Sequence, residues 1–553
     1  MCAITGIVNW GESSNFMLDS VRKMNSILAH RGPDDSGIWV DEGVAIGHRR
    51  LSIIDTRKGQ QPMLTVDQRY IITYNGAVYN FRELRKEIGG IFKTDCDTEV
   101  VLKAYEKWGV GCLEKLNGMF SFFIWDSKLK RGFAARDLVG MKPFLYSYIN
   151  NEFRFASEAK ALVSQSPKVN TEAILEYLVA PFFSGVETSP FEDIYILPPG
   201  HYIELSENTL QVKQWGNTFH LTPREGETSD LRNSLIESIK RTCIADQPVG
   251  TYLSGGLDST LITSISQPET CYSVRFDKHQ DFDQNRSAIV ISDDLPFATY
   301  AATDLSIQHE IVTVTEDSLS NRLERIARQN DLLPAWEQEI AQDALAMAAV
   351  NKYKVILVGD AADETHYGYH FLLHSKTPAE VIKNLSWAPI QKCHLTHPVD
   401  HFNEKYKNQF QNLTSLIIKR WLPRLLHNGD IHAMAHGLET RVPFADIELL
   451  RLAECIDPKL GANKQVLRAS CIGLLPEKIR IRKKSALPKA PYGGRIYQEI
   501  VKSKFLDVAE SWLDMDIFSK SLAKVRLTEP EQALMFRLAA LGYWVEHYHV
   551  SLP

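Results

Sequence analysis

Apolar residues recur in two different patterns along this chain, and the change between them near residue 206 limits the fold more than any other feature. Before it, short runs rich in Ile, Val, Phe and Tyr (CAITGIVNW, VAIGHRRLSIID, YIITYNGAVYN, MFSFFIWD, GFAARD, EFRFASE) are broken by turn signals such as RGPDDSG, NGA and INNE. Two stretches, FMLDSVRKMNSILAHRG and TEVVLKAYEKWGVGCLEKL, interrupt with helical period. Clustered strands with segregated helices predict an α+β domain of stacked layers. Residues 206–230, after LPPGHYIEL, are polar and turn-rich and read as a connector. From Leu231 the pattern changes. LRNSLIESIKRTCI is amphipathic, and the apolar strands VGTYLS, CYSVRF, HEIVTV and KVILVG alternate with helix-length segments. That alternation predicts a parallel sheet covered by helices on both faces, followed by a mostly helical carboxy-terminal part.

Composition removes several classes of function. At 553 residues, 44% hydrophobic and 24% charged, the chain has material for more than one core, which excludes wholesale disorder or a disulfide scaffold. The net charge of −6 does not advertise nucleic-acid binding. The eight cysteines are scattered with no CxxC pair, so a structural zinc site lacks its usual spacing. Sparse cysteines and an amino terminus without a basic, apolar leader predict a reducing cytoplasm. No window has the ~18 consecutive apolar residues of a membrane span.

Cys2 directly follows the initiator Met. If Met1 is removed, the Cys2 α-amine stands within reach of its own thiol. Its pKa of about 8 leaves a useful neutral fraction at pH 7, so one residue supplies both nucleophile and base. Downstream stand HRGPDDSG (30–37), HRRLSIID (48–55), YNGAVYN (74–80), CDTEV (96–100), GMFSFFIWD (118–126) and ARDLVGMKPFLY (135–146). In this order the motifs resemble the glutaminase domain of N-terminal-nucleophile amidotransferases, asparagine synthetases above all, over residues 2–205. The resemblance implies an αββα sandwich. It also implies that the Asn75 side chain and the Gly76 N–H stabilise the oxyanion of amide hydrolysis, glycine allowing close approach and unusual dihedrals there. It further implies that Arg50 grips the glutamine carboxylate and that Asp97 pairs its ammonium. The family motif N-G-E-[IV]-Y-N has Glu where this chain has Ala77, which predicts weaker glutamine binding.

TYLSGGLDST (251–260) follows an apolar strand and precedes a helix-forming run, a geometry that offers backbone N–H groups and a positive helix end to an anion. It is not the GxxxxGK[ST] loop. It matches S-G-G-x-D-S, the pyrophosphate loop of ATP pyrophosphatases. The resemblance places Ser254, Gly255, Gly256, Leu257, Asp258 and Ser259 around the phosphates of ATP, and Leu253, Val274, Val358 and Gly359 at the adenosine. VILVGDAADETHYGY (355–369) resembles the strand-end motif S-G-[ED]-G-[SAG]-D-E-x-x-x-G-Y. By that likeness Asp363 shares Mg²⁺ with Asp258 and Asp360 serves acyl-adenylate formation. Val358 and Ala361 replace the usual Ser and Gly. MAHGLETRVPFAD (434–446), NKQVLR (463–468) and IRIRKKSALP (479–488) resemble the family's helical motifs, with Lys484 in the position that neutralises the adenylate or pyrophosphate.

The fold expected is thus an α+β αββα glutaminase (2–205), a connector (206–230) and an α/β ATP-pyrophosphatase-type synthetase domain with a helical end (231–553). The function expected is ATP- and Mg²⁺-dependent amidation of a carboxylic acid with nitrogen from glutamine, carried between domains through a sheltered passage, in a homodimer. The acceptor is open: NDLLPAWEQEIAQDALAM (330–347) sits where asparagine synthetases recognise aspartate, yet carries no arginine. Aspartate and another carboxylic acid both remain. A β-lactam-synthetase-like cyclase is the alternative that Cys2 opposes. A catalytically impaired binding protein would account for Ala77, Val358 and Ala361, but not for retention of Cys2, Asp258, Asp363 and Lys484.

Overall fold

The computed structural model describes residues 2–216, 228–278, 281, 293–369, 380, 388–391, 416–454, 456, 461–485 and 489–552. Met1, residues 217–227 of the expected connector and the end of the IRIRKKSALP motif (486–488) lie outside the described residues.

The amino-terminal half contains strands β1 (Cys2–Val8), β2 (Asp35–Asp41), β3 (Val44–Arg50), β4 (Met63–Leu64), β5 (Tyr70–Val78) and β6 (Gly118–Asp126). It continues with β7 (Arg131–Arg136), β8 (Leu145–Ile149), β9 (Glu152–Ala156), β10 (Tyr195–Ile196), β11 (His201–Ser206) and β12 (Thr209–Gln214). They form two six-stranded antiparallel sheets, ordered β10-β8-β9-β1-β3-β2 and β12-β11-β7-β6-β5-β4. The period of two decides what lies between and outside the sheets. Ile4, Val8, Val44 and Ile46 of the first sheet pack on Ile71, Phe123, Trp125 and Ile203 of the second. The alternate residues face outward. Ala3, Ile7 and Ala45 meet Met17, Val21 and Met24 of the helix Ser14–Ile27. Ile72, Tyr74, Phe120 and Phe122 meet Phe81, Leu84, Val100 and Ala104 of the helices Phe81–Ile88 and Asp97–Trp108. The result is the expected αββα sandwich.

β12 occupies part of the stretch read as connector. It pairs with β11 from Thr209↔Ser206 to Gln214↔His201 and closes the edge of the second sheet. Its side chains are largely exposed, so an edge strand there looks like a polar linker in sequence.

The second half carries β13 (Val249–Tyr252), β14 (Thr270–Phe276), β15 (Gln308–Val314), β16 (Val355–Leu357) and β17 (Glu439–Arg441). Every pairing is parallel, in the order β15-β14-β13-β16-β17. Chain order reverses direction between β13 and β16, and the ends of these two strands are where such a sheet opens a crevice for ligand. Helices including Leu257–Ser266, Leu319–Gln329, Gln338–Ala349 and Leu422–Met434 flank the sheet, and Gly493–Lys504 through Glu529–Tyr548 form the helical end. The last of these begins with a capping box between Thr528 and Glu531. Among the described residues no helix is long and apolar enough to cross a membrane.

The two halves share one core. Ala77, Tyr79, Met119 and Val139 of the sandwich belong to the same buried cluster as Leu235, Ile356, Leu438 and Phe444. Charged groups are buried across this junction as well: Arg31 binds Glu158 at 2.8 Å and Asp430 at 2.6 Å, and Lys142 binds Asp430 at 3.1 Å. A buried ion pair is costly to break from one side, which makes this junction specific as well as apolar.

Candidate active site

Two clusters of functional side chains form along this junction. In the first, Cys2 opens β1 in the middle of the first sheet, and Asn75 and Gly76 lie on β5 of the second. Cys2, Arg50, Gly76, Asp97, Glu439 and Arg441 line one cleft. The Cys2 backbone nitrogen donates to Asn75 Oδ1 at 3.1 Å. Asn75 Nδ2 is buried and has no acceptor among the described residues. A buried amide donor left without a partner is expensive, and this one belongs to a side chain bonded to Cys2, where it is available to an acceptor. Burial pushes the Cys2 thiol up, while the Leu51 N–H and Arg50 pull the other way.

Gly76 lies within β5, where it pairs with Phe120. It is not among the positive-φ residues, so the expectation of unusual dihedrals is corrected. What demands glycine is proximity: a Cβ there would stand 2.2 Å from the Met119 carbonyl oxygen and 2.8 Å from Phe120 Cα. Arg50 is buried and its guanidinium is held by the carbonyls of Thr56, Ile54 and Asp55 at 2.7–3.4 Å. Asp97 accepts from Tyr74 Oη at 2.7 Å and from the Val78 N–H at 3.0 Å, and burial pushes its carboxyl up.

The second cluster sits at the β13/β16 crevice. Gly255 has φ +67°, and Gly256 caps the helix Leu257–Ser266. Ser254 and Ser259 join by their hydroxyls at 3.0 Å, and the Gly256 N–H donates to Ser254 Oγ at 3.3 Å. The loop is therefore set before any phosphate enters. Leu253, Val274 and Val358 are buried beside it, and Gly359 packs on Asp258, where a Cβ would come within 3.2 Å of the aspartate's own. A Cβ at Gly255 would meet Ala298 N at 2.3 Å in a left-handed backbone. Gly255→Ala is thus expected to destabilise the domain by about 2–4 kcal/mol and to cut nucleotide binding more than tenfold, read by thermal melting and ATP titration.

Asp258 and Asp363 converge on Lys464, whose Nζ lies 2.6 Å from Asp258 Oδ2 and 2.6 Å from Asp363 Oδ1; Lys484 is 2.5 Å from Asp363 Oδ2. Burial opposes both charges, but Asp363 and Asp258 hold Lys484 above the ordinary lysine range, and the two lysines hold Asp363 well below the carboxylate range. Asp360 is different: burial pushes it up to about 6, against Lys484 and with help from Asp363 and Asp258. Glu364, bonded to Tyr369 Oη, rises to about 7 for the same first reason. Lys464 and its neighbour Asn463 both have left-handed backbone, at φ +60° and +56°. That conformation costs about 1–2 kcal/mol for a residue with a side chain, and it delivers a lysine between two acids. Ala361, where the family motif has glycine, carries the same strain at φ +71°.

Asp258 Oδ1 is buried without a hydrogen-bond partner among the described residues. Two gathered carboxylates with an unsatisfied oxygen suit a hard divalent cation that takes its remaining ligands from phosphates and water. Asp258 and Asp363 are thus the donor type that Mg²⁺ takes, with Lys464 bridging them in this structure.

Several contributors were not assigned from sequence. Lys464 lies in the NKQVLR run, but nothing local foretells its bent backbone. Glu439 and Arg441 reach the thiol cleft from the other half of the chain, where Arg441 Nε donates to Glu439 Oε1 at 2.5 Å. An arginine from outside the stretch 330–347 packs against it. Arg424, fully buried, donates to the carbonyls of Leu332 and Leu333. Glu339 there is buried and bound by His432 at 2.7 Å and Asn428 at 2.9 Å.

A family profile for a glutamine amidotransferase domain matches residues 1–216, and one for asparagine synthase matches residues 230–546. Over 620 aligned positions covering 100% of both chains, the protein is 28% identical to asparagine synthetase [glutamine-hydrolyzing] 3 of Bacillus subtilis (strain 168). It is 26% identical to asparagine synthetase B [glutamine-hydrolyzing] of Escherichia coli (strain K12), over 88% of this chain and 81% of the relative. A putative asparagine synthetase [glutamine-hydrolyzing] 2 of Methanocaldococcus jannaschii is 33% identical over 49% of this chain and 58% of its own. With both halves matched and both clusters assembled, the chain belongs to the asparagine synthase family.

Proposed function

We propose that the protein is a glutamine-hydrolysing, ATP-dependent ligase that converts a carboxylic acid to its amide through an acyl-adenylate. Residues 2–205, extended by β12, form the glutaminase, and residues 231–553 form the synthetase. The observation that carries this reading is the unpartnered amide nitrogen of Asn75, whose Oδ1 accepts from the Cys2 nitrogen, in a chain that also holds a glycine loop braced by its own hydroxyls.

With Met1 removed, the Cys2 amine keeps its place against Asn75 Oδ1 and takes the thiol proton. The buried sulfur then attacks the glutamine amide. Asn75 Nδ2 and the Gly76 N–H receive the oxyanion, Arg50 holds the substrate carboxylate and Asp97 its ammonium. Ammonia leaves and the thioester is hydrolysed. In the synthetase, Ser254, Gly255, Gly256, Leu257 and Ser259 hold the ATP phosphates, and Leu253, Val274, Val358 and Gly359 hold the adenosine. Asp258 and Asp363 would hold Mg²⁺, which supplies charge neutralisation at the phosphates. Lys484 and Lys464 stand where pyrophosphate charge develops. Asp360 serves formation of the acyl-adenylate.

A chain of buried contacts links the two sites, and ammonia is proposed to pass along it. Arg31 Nε donates to the Cys2 carbonyl at 3.2 Å while Arg31 Nη2 binds Asp430. The adjoining Gly429 faces Asp360, whose Oδ2 lies 3.6 Å from where a Cβ would stand. Ammonia shielded along this route stays unprotonated and nucleophilic.

The acceptor is aspartate or another carboxylic acid. Screening carboxylic acids for ATP–pyrophosphate exchange tests the reading and names the acceptor. One acid is expected to drive exchange, and exchange with none of them, aspartate included, would contradict adenylation.

A further inference from the structure

We propose that Glu439, on the synthetase strand β17, supplies the carboxylate that holds the α-ammonium of glutamine in the amidotransferase cleft, in place of the acid absent at position 77. This rests on the glutaminase reading above. Ala77 and Glu439 line the same cleft as Cys2, Arg50 and Asp97. An amino-acid substrate brings one carboxylate and one ammonium with three N–H donors. Arg50 answers the carboxylate. Asp97 alone answers the ammonium poorly, because its Oδ2 is already taken by Tyr74 and Val78.

Glu439 is 1% exposed and stays ionised: burial opposes its charge, but the positive amino terminus, Arg441 and Lys142 bring it down to about 2. Its field reaches the cleft, where it raises both the Cys2 thiol and the Asp97 carboxyl. Arg441, bonded to Glu439, is anchored by the carbonyls of Thr242 and Ile244, so the glutamate is fixed in place.

Its place in the sheet adds a consequence. Glu439 is paired with Val355 of β16, and the Val358 N–H donates to the Arg441 carbonyl at 3.0 Å, two residues before Asp360. One strand pair therefore contributes a residue to each site, and the glutamine site is complete only when the synthetase sheet is docked.

The test is steady-state hydrolysis by the full chain of glutamine and of glutaramate, which keeps the amide and carboxylate but lacks the ammonium. Glu439→Gln is expected to raise the glutamine KM about 10–100-fold and to shift the glutaramate KM less than about threefold. Glu439→Asp, which keeps the ion pair with Arg441, carries the same comparison should the Gln variant not fold, with a shift of about 3–10-fold confined to glutamine. An equal loss on both compounds would assign Glu439 a structural role and overturn the proposal, as would an unchanged glutamine KM. Wild-type protein that releases no ammonia from glutamine would instead remove the glutaminase reading beneath it.

Discussion

Replacing Cys2 by Ala is expected to lower glutamine-supported amide formation by about four orders of magnitude or more, while ammonium salts continue to support it. The asymmetry follows from the division of labour. The sulfur and its amine are the attacking group and the base for one half-reaction only, and no other residue lining the cleft duplicates them. Cys96 also lines it, but burial and the neighbouring Asp97 raise that thiol against the opposing pull of its bonding to Thr98, so it is a poor substitute nucleophile. The residues of the phosphate loop and the Asp258–Asp363 cluster do not line the thiol cleft. Cys2→Ser is the finer version, exchanging sulfur for oxygen at nearly constant volume. Product formation with each nitrogen source, measured side by side, checks both. Full glutamine-supported speed in either variant would contradict the role given to Cys2.

The second large effect is expected at Asp363. Its two oxygens meet Lys464 and Lys484, and Lys464 in turn meets Asp258. Asp363→Asn removes one negative charge from a buried cluster of two lysines and two aspartates. The lysines would be left short of a counter-charge, at a cost of about 3–5 kcal/mol for a broken buried pair. On the proposed reading, a ligand for the nucleotide's metal is lost at the same stroke. We expect ATP–pyrophosphate exchange to fall about 10²–10³-fold, with glutamine hydrolysis within a few-fold of wild type because its residues lie in the other cluster. Exchange within about fivefold of wild type would contradict the cluster's role.

What was legible in the sequence was what lies close together along it. SGGLDS reads as a strand–loop–helix because all of its geometry is set within ten residues, down to the positive φ that Gly255 alone can take without strain. The two layers of the sandwich were legible from alternation, since Ile4 and Val8 point one way and Ala3 and Ile7 the other. What was not legible is assembled from distant segments or hidden by shortness. Arg31 and Asp430 meet across 399 positions, and neither sits in a pattern that calls for the other. β17 is three residues long and reads as part of a helical motif, so the arrival of Glu439 in the thiol cleft has no local signal. β12 was concealed by its solvent-facing side chains. Arg424, on a separate helix, binds the carbonyls of Leu332 and Leu333, a contact between distant segments that nothing in 330–347 signals.

The central claim is that nitrogen released at Cys2 reaches an activated acid at the β13/β16 crevice without mixing with the medium. Supplying glutamine labelled with ¹⁵N in its side-chain amide, in buffer containing unlabelled ammonium, tests it directly by mass spectrometry of the amide product. The structure predicts product carrying ¹⁵N well beyond its share of the total ammonia pool. Product whose nitrogen matched the pool would contradict the claim.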